Sequence, residues 1–278
     1  MLKIKITLGT KIWLTIICLM ILAAVAAPLL TSADPSAVNL AKVLNSPSST
    51  LIMGTDNMGR DVFSRLLYGG RVTMLVALAA TVISTVLGIL YGGVSGYIGG
   101  RTDDIMMRLL EALIAIPSLI IILCLQAFLH GGLIVIIVII GLTSWMQVAR
   151  IVRAGFVETK SKNFVKCAVM LGTPARRIFI RHLLRNSLSG ILVITIYNCA
   201  SAVFTEVTLS FLGLGIPPEM ASWGNMLTNA QNYMLVGAWW IALYPGLMIV
   251  LLILAVNFLG ERAKRYYGFK GEIYDGIH

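Results

Sequence analysis

The chain has 278 residues, of which 58% are hydrophobic and only 12% charged, and its mean hydropathy is +0.89. A soluble domain carries about a quarter of its residues as charges, so a water-soluble fold is excluded and a polytopic membrane protein is the reading that composition supports. The net charge of +10 does not indicate nucleic-acid binding, because the basic residues lie between apolar blocks and are not interleaved with aromatics.

Met1–Lys11 is short and basic, and Ile12–Leu30 follows as an uncharged apolar run. The positive flank and the small residues near Ala23–Ala27 would suit a cleaved signal peptide. The length of the run and the five similar runs behind it favour a first membrane span. Thr31–Gly70 is polar, with Pro35 and Pro47, and reads as an external loop ending in a charged patch from Gly54 to Asp61. Val72–Tyr97 is the second span. Its Gly88, Gly92 and Gly96 fall on one helical face, a pattern for close helix packing. Neither Gly92-Gly93 nor Gly99-Gly100 is followed by the Lys-Ser/Thr of a phosphate loop.

Gly99–Asp104 reads as a tight turn and Ile105–Leu129 as the third span, with Pro117 inside it as a kink or a local unwinding. His130–Gly132 turns the chain into the fourth span, Leu133–Ala149. Leu188–Leu212 is the fifth span and contains Glu206. Gly213–Leu235 is a second external loop with Pro217-Pro218 and Trp223-Gly224, and Val236–Gly260 is the sixth span before a tail of mixed charge. The four cysteines (Cys18, Cys124, Cys167, Cys199) have no metal or redox spacing and read as small hydrophobes.

Six spans place both termini on one side, which charge can test. Met1–Lys11, Gly99–Glu111, Arg150–Arg185 and Glu261–His278 hold 18 of the 22 Lys and Arg residues; the opposite face holds only Lys42, Arg60, Arg65 and Arg71. The positive-inside rule therefore puts both ends and the basic segment in the cytoplasm. The segment from Arg150 to Arg185 carries nine Lys/Arg residues and one acid, Glu158. Lys162–Leu171 is helix-capable, Gly172 permits a left-handed cap, and Pro174 stops the same helix from continuing. An amphipathic stretch, Ala175–Arg185, then leads into the fifth span. This order suits a docking helix for a cytoplasmic partner better than a helix lying on anionic lipid.

Glu206 is an acid deep in an apolar run, costly unless it is paired or faces water. It is either a pathway or gating carboxylate or a structural hydrogen-bonding group, and the sequence leaves both open. Pro117 is likewise a gating kink or a packing kink. Asp56, Arg60, Asp61 and Arg65, with Trp223 and Asn225, either contact an external partner or form an internal salt-bridged cap.

Several stretches together resemble the inner-membrane permease subunits of dipeptide, oligopeptide and nickel ABC importers, specifically the second of the two permeases. They are the patch with Gly54, Thr55, Asp56, Gly59, Arg60, Asp61, Ser64 and Arg65, then Ala115–Ser118, then Ala149–Arg153, then Ser210–Pro218 followed by Ser222–Met226. The resemblance implies an all-α fold of six transmembrane helices, the type I importer permease (MetI-like) fold. It also implies a coupling region in which Phe164, Val165, Lys166, Cys167, Ala168, Leu171, Gly172, His182 and Asn186 meet an ATP-binding subunit. Lys166-Cys167 stands where the family tends to carry an acid and an alanine, Arg185 replaces a proline before Asn186, and Glu261 follows Gly260 in place of Asp.

The expected organisation is residues 1–30 as cytoplasmic N-terminus and first helix, 31–71 as external loop, and 72–260 as a five-helix permease domain. That domain would hold the coupling region 150–187 and an external hairpin 213–235, leaving 261–278 as a cytoplasmic tail. The chain has no Walker A lysine and no catalytic triad, so ATP and magnesium are expected in partner subunits and no cofactor or metal on this chain. The expected partners are a homologous second permease, two cytoplasmic ATP-binding subunits, an extracytoplasmic substrate-binding protein and the lipid bilayer. The expected cargo is a di- or oligopeptide, with nickel or a metal chelate as the alternative. A secondary transporter would show more paired polar residues at mid-membrane, and a non-transport scaffold would not need the Gly172–Pro174 turn.

Overall fold

The computed structural model describes residues 8–129, 132–228 and 230–275, with side chains as far as Tyr266. The turn expected at His130, residues 1–7 and the last three residues lie outside the described residues. Within them, every regular element beyond a single bridge pair, Thr55 with Asp61, is a helix. Five are long and apolar enough to cross a membrane: Leu8–Val25, Val62–Ile98, Leu133–Ser161, Ala175–Phe211 and Trp240–Tyr266.

The sixth expected span is different. In place of one Ile105–Leu129 helix there are two, Gly100–Ile114 and Ser118–Leu129, bent by 79°. Of the two expectations for Pro117, a kink or a local unwinding, the chain follows the second, leaving the helix over residues 115–117. Pro117 has no N–H for a helical bond and disfavours helical backbone at Ile116, so the first helix stops short of it. Its carbonyl then accepts from Ile120 N (2.9 Å) and opens the second helix. The turn expected over Gly99–Asp104 is tighter than that: Gly99 (φ 74°) and Gly100 (φ 59°) make it, and Arg101, Asp103 and Asp104 are already helical.

Three helices also outrun their apolar cores. Val62–Ile98 starts ten residues before the apolar run because Asp61 caps it, accepting from Ser64 N at 2.7 Å. At 1.5 Å per residue its 37 residues span about 55 Å, more than a hydrocarbon core of roughly 30 Å. Leu133–Ser161 carries the fourth span on through Arg150 and Arg153. The helix of the fifth span begins at Ala175, passes through a wider π turn over Ile178–Leu184, and continues as Arg185–Phe211.

The chain folds as two compact units. One comprises Met1–Leu78, Leu129–Ile137 and Ala200–Leu259; the other comprises Ala79–Phe128, Val138–Cys199 and Gly260–His278. In the first, Arg71 donates to the carbonyls of Ala24 and Val25 and closes the C-terminal end of Leu8–Val25 while lying over the Tyr68 ring. In the second, Val148, Val152 and Phe156 form a stripe at four-residue spacing that is buried against Val165, Ile178, Leu183 and Ile191. The glycine face fits there: a Cβ on Gly88 would lie 2.5 Å from Val148 Cβ, and one on Gly96 would lie 2.8 Å from Phe156 Cβ.

Candidate functional site

The second unit carries the coupling region. The helix Asn163–Met170 ends in a left-handed Gly172 (φ 71°), with Gly172 N donating to Val169 O at 3.0 Å and Thr173 N to Ala168 O at 3.1 Å. This pair of bonds is a Schellman closure, which satisfies the last carbonyls and turns the chain sharply. Val165 is the one side chain of the helix that is fully in the core. Phe164, Val169, Met170 and Leu171 are exposed, the last two at 85% and 84%. Lys166 and Cys167 are also exposed and Ala168 is half-buried. The region thus presents an apolar ridge within a basic surround that includes Lys162, Arg176, Arg177 and Arg181.

Behind the ridge, His182 packs its ring 6.3 Å from that of Phe164, and Asn186 Nδ2 donates to His182 O at 2.6 Å. His182 and Asn186 therefore support the helix from the following segment, while the exposed ridge comes from the helix itself. Two contacts the sequence did not single out fasten the preceding arm. Arg153 pairs with Asp103 at 2.6 Å, Asp103 also accepts from Ser95, and Lys160 Nζ donates to Tyr97 O at 2.5 Å. The amphipathic frame of residues 100–114, read as a helix, would have pointed to Asp103. Pro117 lies exposed at the break between Gly100–Ile114 and Ser118–Leu129.

The first unit gathers the outer polar residues. Asp56 Oδ2 lies 2.6 Å from Arg60 Nε and 3.6 Å from Arg65 Nε, with both arginines buried. Arg60 Nη1 reaches Pro218 O (3.2 Å), Arg65 Nη1 reaches Pro35 O (3.0 Å) and Arg65 Nη2 reaches Asn225 Oδ1 (3.4 Å). Asp61 is the helix cap and is not ion-paired with them. Asn225 and Ser222 form a reciprocal capping box, and Asn225 Nδ2 also donates to Met220 O. The buried Trp223 donates Nε1–H to Leu66 O at 2.8 Å and its backbone N–H to Thr73 Oγ1 at 3.2 Å. A loop read as external is thereby stitched to the start of Val62–Ile98.

Glu206 is wholly buried in the same unit. Its Oε1 accepts from Ser210 Oγ at 2.9 Å and its Oε2 from Thr73 Oγ1 at 3.2 Å. Gly224 comes so close that a Cβ there would lie 3.1 Å from Glu206 Oε1. Thr73 carries no sequence signal as a partner of Glu206, because the two residues are 133 positions apart. Among the described residues no three His, Cys, Asp or Glu side chains come together as a metal site.

Residues 84–268 match a family described as the binding-protein-dependent transport system inner membrane component. The chain is 35% identical over 261 residues to the oligopeptide transport system permease protein OppC of Bacillus subtilis (strain 168), covering 94% of this chain and 85% of that one. It is 38% identical over 248 residues to the dipeptide transport system permease protein DppC of the same organism, covering 89% and 78%. Among solved structures it is similar to a chain in the crystal structure of an amino acid ABC transporter with histidines. There the TM-score is 0.52 and the identity 15%, covering 73% of this chain and 94% of that one, a likeness of fold alone.

Proposed function

The chain belongs to the family of binding-protein-dependent transport system inner membrane components, and from that premise we propose that it is a permease subunit of an ATP-driven importer of di- or oligopeptides. It forms half of a translocation pathway with a second, homologous permease. Two cytoplasmic ATP-binding subunits supply hydrolysis, with ATP and magnesium bound there, and an extracytoplasmic binding protein delivers cargo. Both termini lie in the cytoplasm. The relatives named as oligopeptide and dipeptide permeases support the cargo class, with nickel or a metal chelate as the alternative.

The observation that carries the coupling role is the one-sided burial of Asn163–Met170. Val165 roots the helix among Phe156, Ile178 and Leu183, while Met170 and Leu171 stand free. A partner gripping the free ridge pulls through Val165 on the Val148–Phe156 stripe and on Ile191, so load reaches two membrane helices through close-packed side chains. The Gly172 closure keeps the helix from lengthening into the next segment, which lets it act as a short rigid lever.

The experiment is co-purification and uptake with a Lys162–Ala175 deletion. The intact chain should bring down ATP-binding subunits and a second permease and should support uptake of a radiolabelled dipeptide. The deleted chain should insert in the membrane but lose both properties. Unchanged assembly and uptake would overturn the coupling role, and uptake of nickel in place of peptide would overturn the cargo.

A further inference from the structure

The helix Gly100–Ile114 divides its surface into three faces. One seats it on its own unit: Leu110 is fully buried beside Met146 and Ala149, and Asp103 is held by Arg153 and Ser95. A second face carries Ile105, Leu109 and Leu113, repeating every four residues and exposed at 61%, 59% and 43%. The third carries Arg101, Asp104, Arg108 and Glu111, all exposed. At 3.6 residues per turn these sets point in three separate directions.

An ordinary surface helix has an apolar face turned inward and a polar face turned out. Here the inward face is already occupied, and an apolar stripe and a charged stripe stand exposed side by side. That arrangement fits a helix at the boundary between hydrocarbon and water, where each exposed face meets its own solvent. The 79° bend agrees with it. If the uncharged Ser118–Leu129 runs along the bilayer normal, its 12 residues cover about 18 Å of the roughly 30 Å core, and Gly100–Ile114, bent by 79° from it, lies close to the membrane plane. The four charges make the same point, because a helix crossing the hydrocarbon would have to bury them at high cost.

We propose that Gly100–Ile114 is an interfacial helix docked on the lipid surface rather than half of a membrane span. Ile105, Leu109 and Leu113 rest on acyl chains, and Arg101 and Arg108 reach lipid phosphates. Through Asp103 and Arg153 it is fastened to the arm that leads to the docking helix, so it sets the depth at which that arm leaves the membrane. The occupant is lipid because the apolar stripe is flanked by charges of both signs and sits on a helix bent towards the plane. The proposal rests on membership of a membrane family and not on the identity of the cargo.

The test measures depth in the assembled transporter reconstituted into vesicles of phosphatidylethanolamine and phosphatidylglycerol. Single cysteines at Ile105, Leu109 and Leu113, with controls at Asp104 and Glu111, are spin-labelled in a background lacking Cys18, Cys124, Cys167 and Cys199. The three apolar positions should collide with oxygen, be shielded from a water-soluble nickel chelate, and report one common depth. The two acidic positions should be open to the chelate. A spanning helix would instead deepen by about 12 Å from Ile105 to Leu113, and a partner subunit on this face would shield it from both reagents. Either result overturns the proposal. The unsubstituted chain gives an independent reading: a photoactivatable phospholipid with its reactive group near the headgroup should cross-link to Ile105–Leu113. Labelling of Leu8–Val25 without labelling there would also overturn it.

Discussion

Arg153 grips Asp103 with two guanidinium nitrogens: Nη2 lies 2.6 Å from Oδ2, and Nε lies 3.1 Å from Oδ1 and 3.2 Å from Oδ2. The two residues are fifty positions apart, and the pair ties Gly100–Ile114 to the arm that ends in the docking helix. Such a fork is stronger than a single point contact, and lysine cannot reproduce it. Asp103→Ala leaves Arg153 and Ser95 without their shared acceptor and should cost about 1–3 kcal/mol. Arg153→Lys keeps the charge and should cost less. Thermal melting of the purified transporter should rank wild type above Arg153→Lys and Arg153→Lys above Asp103→Ala; equal melting for all three would show that the pair contributes nothing.

Gly92 and Gly172 need glycine for different reasons, one for space and the other for a backbone conformation. A Cβ on Gly92 would collide with the carbonyl of Ala149, which is backbone and cannot swing aside. Gly92→Ala should therefore force two helices apart and prevent accumulation in the membrane. Gly172 has nothing within 4 Å of a built Cβ, and only its φ of 71° objects. Gly172→Ala should cost about 1–2 kcal/mol and still accumulate. Membrane yield of the two variants checks the contrast.

Much of this was legible because lipid imposes a coarse rule. Long apolar runs must be helices, so Leu133–Ala149 and Leu188–Leu212 announced themselves. The Gly54–Asp61 patch, with Asp56, Arg60 and Asp61 so close together, was legible as a unit. What the runs conceal is where a helix outlasts its apolar stretch. Arg65 and Arg71 are helical residues that hydropathy assigns to a loop, and Asp103 is helical where two glycines suggest a turn. Pro117 was visible, but whether a proline kinks a helix or breaks it depends on the charges before it and on what holds the first half in place. Of the partners of Glu206, Ser210 lies one turn further along the same helix, a spacing that helical periodicity reports, whereas Thr73 comes from a distant helix, which no periodicity can report.

Exposure makes the docking ridge separable from stability. Met170 and Leu171 touch little of their own chain, so changing both to Ser should leave the melting temperature unchanged. Apolar anchors at the centre of an interface typically cost more than 1 kcal/mol each when truncated. The double variant should therefore lose the ATP-binding subunits on purification and lose uptake in parallel. Lys166 carries a charge opposite to the family tendency and is also exposed. Lys166→Glu should reduce subunit retention more than Lys166→Ala, because only the former adds repulsion against a partner surface matched to a cation. Equal retention would place Lys166 outside the contact.

Glu206 can be tested by shape and charge separately. Its carboxylate accepts from Thr73 and Ser210 with no exposure to solvent. Glu206→Gln keeps the volume and one acceptor oxygen, whereas Glu206→Ala removes the acceptor of the Thr73 and Ser210 hydroxyls, leaves a cavity beside them, and should cost about 2–5 kcal/mol. We expect Glu206→Gln to accumulate normally and retain most uptake, and Glu206→Ala to accumulate poorly. A Glu206→Gln chain that accumulates normally but transports nothing would make the carboxylate part of the pathway.

Asp56 stands between two arginines, and that asymmetry decides what its removal does. Arg60 and Arg65 are both buried and both turn Nε towards the same Oδ2. Asp56→Asn leaves two guanidinium charges facing each other without an anion, a loss on the order of 3–5 kcal/mol for a buried pair stripped of its partner. Arg65→Gln in the wild-type background removes one cation and still leaves Asp56 paired with Arg60, so it should cost less. In the double variant the remaining arginine no longer faces a like charge. Asp56→Asn with Arg65→Gln should therefore be more stable than Asp56→Asn alone, a sign that independent sites cannot give. Melting of the four purified proteins measures the coupling, and simple additivity would mean that the three side chains do not share one electrostatic site.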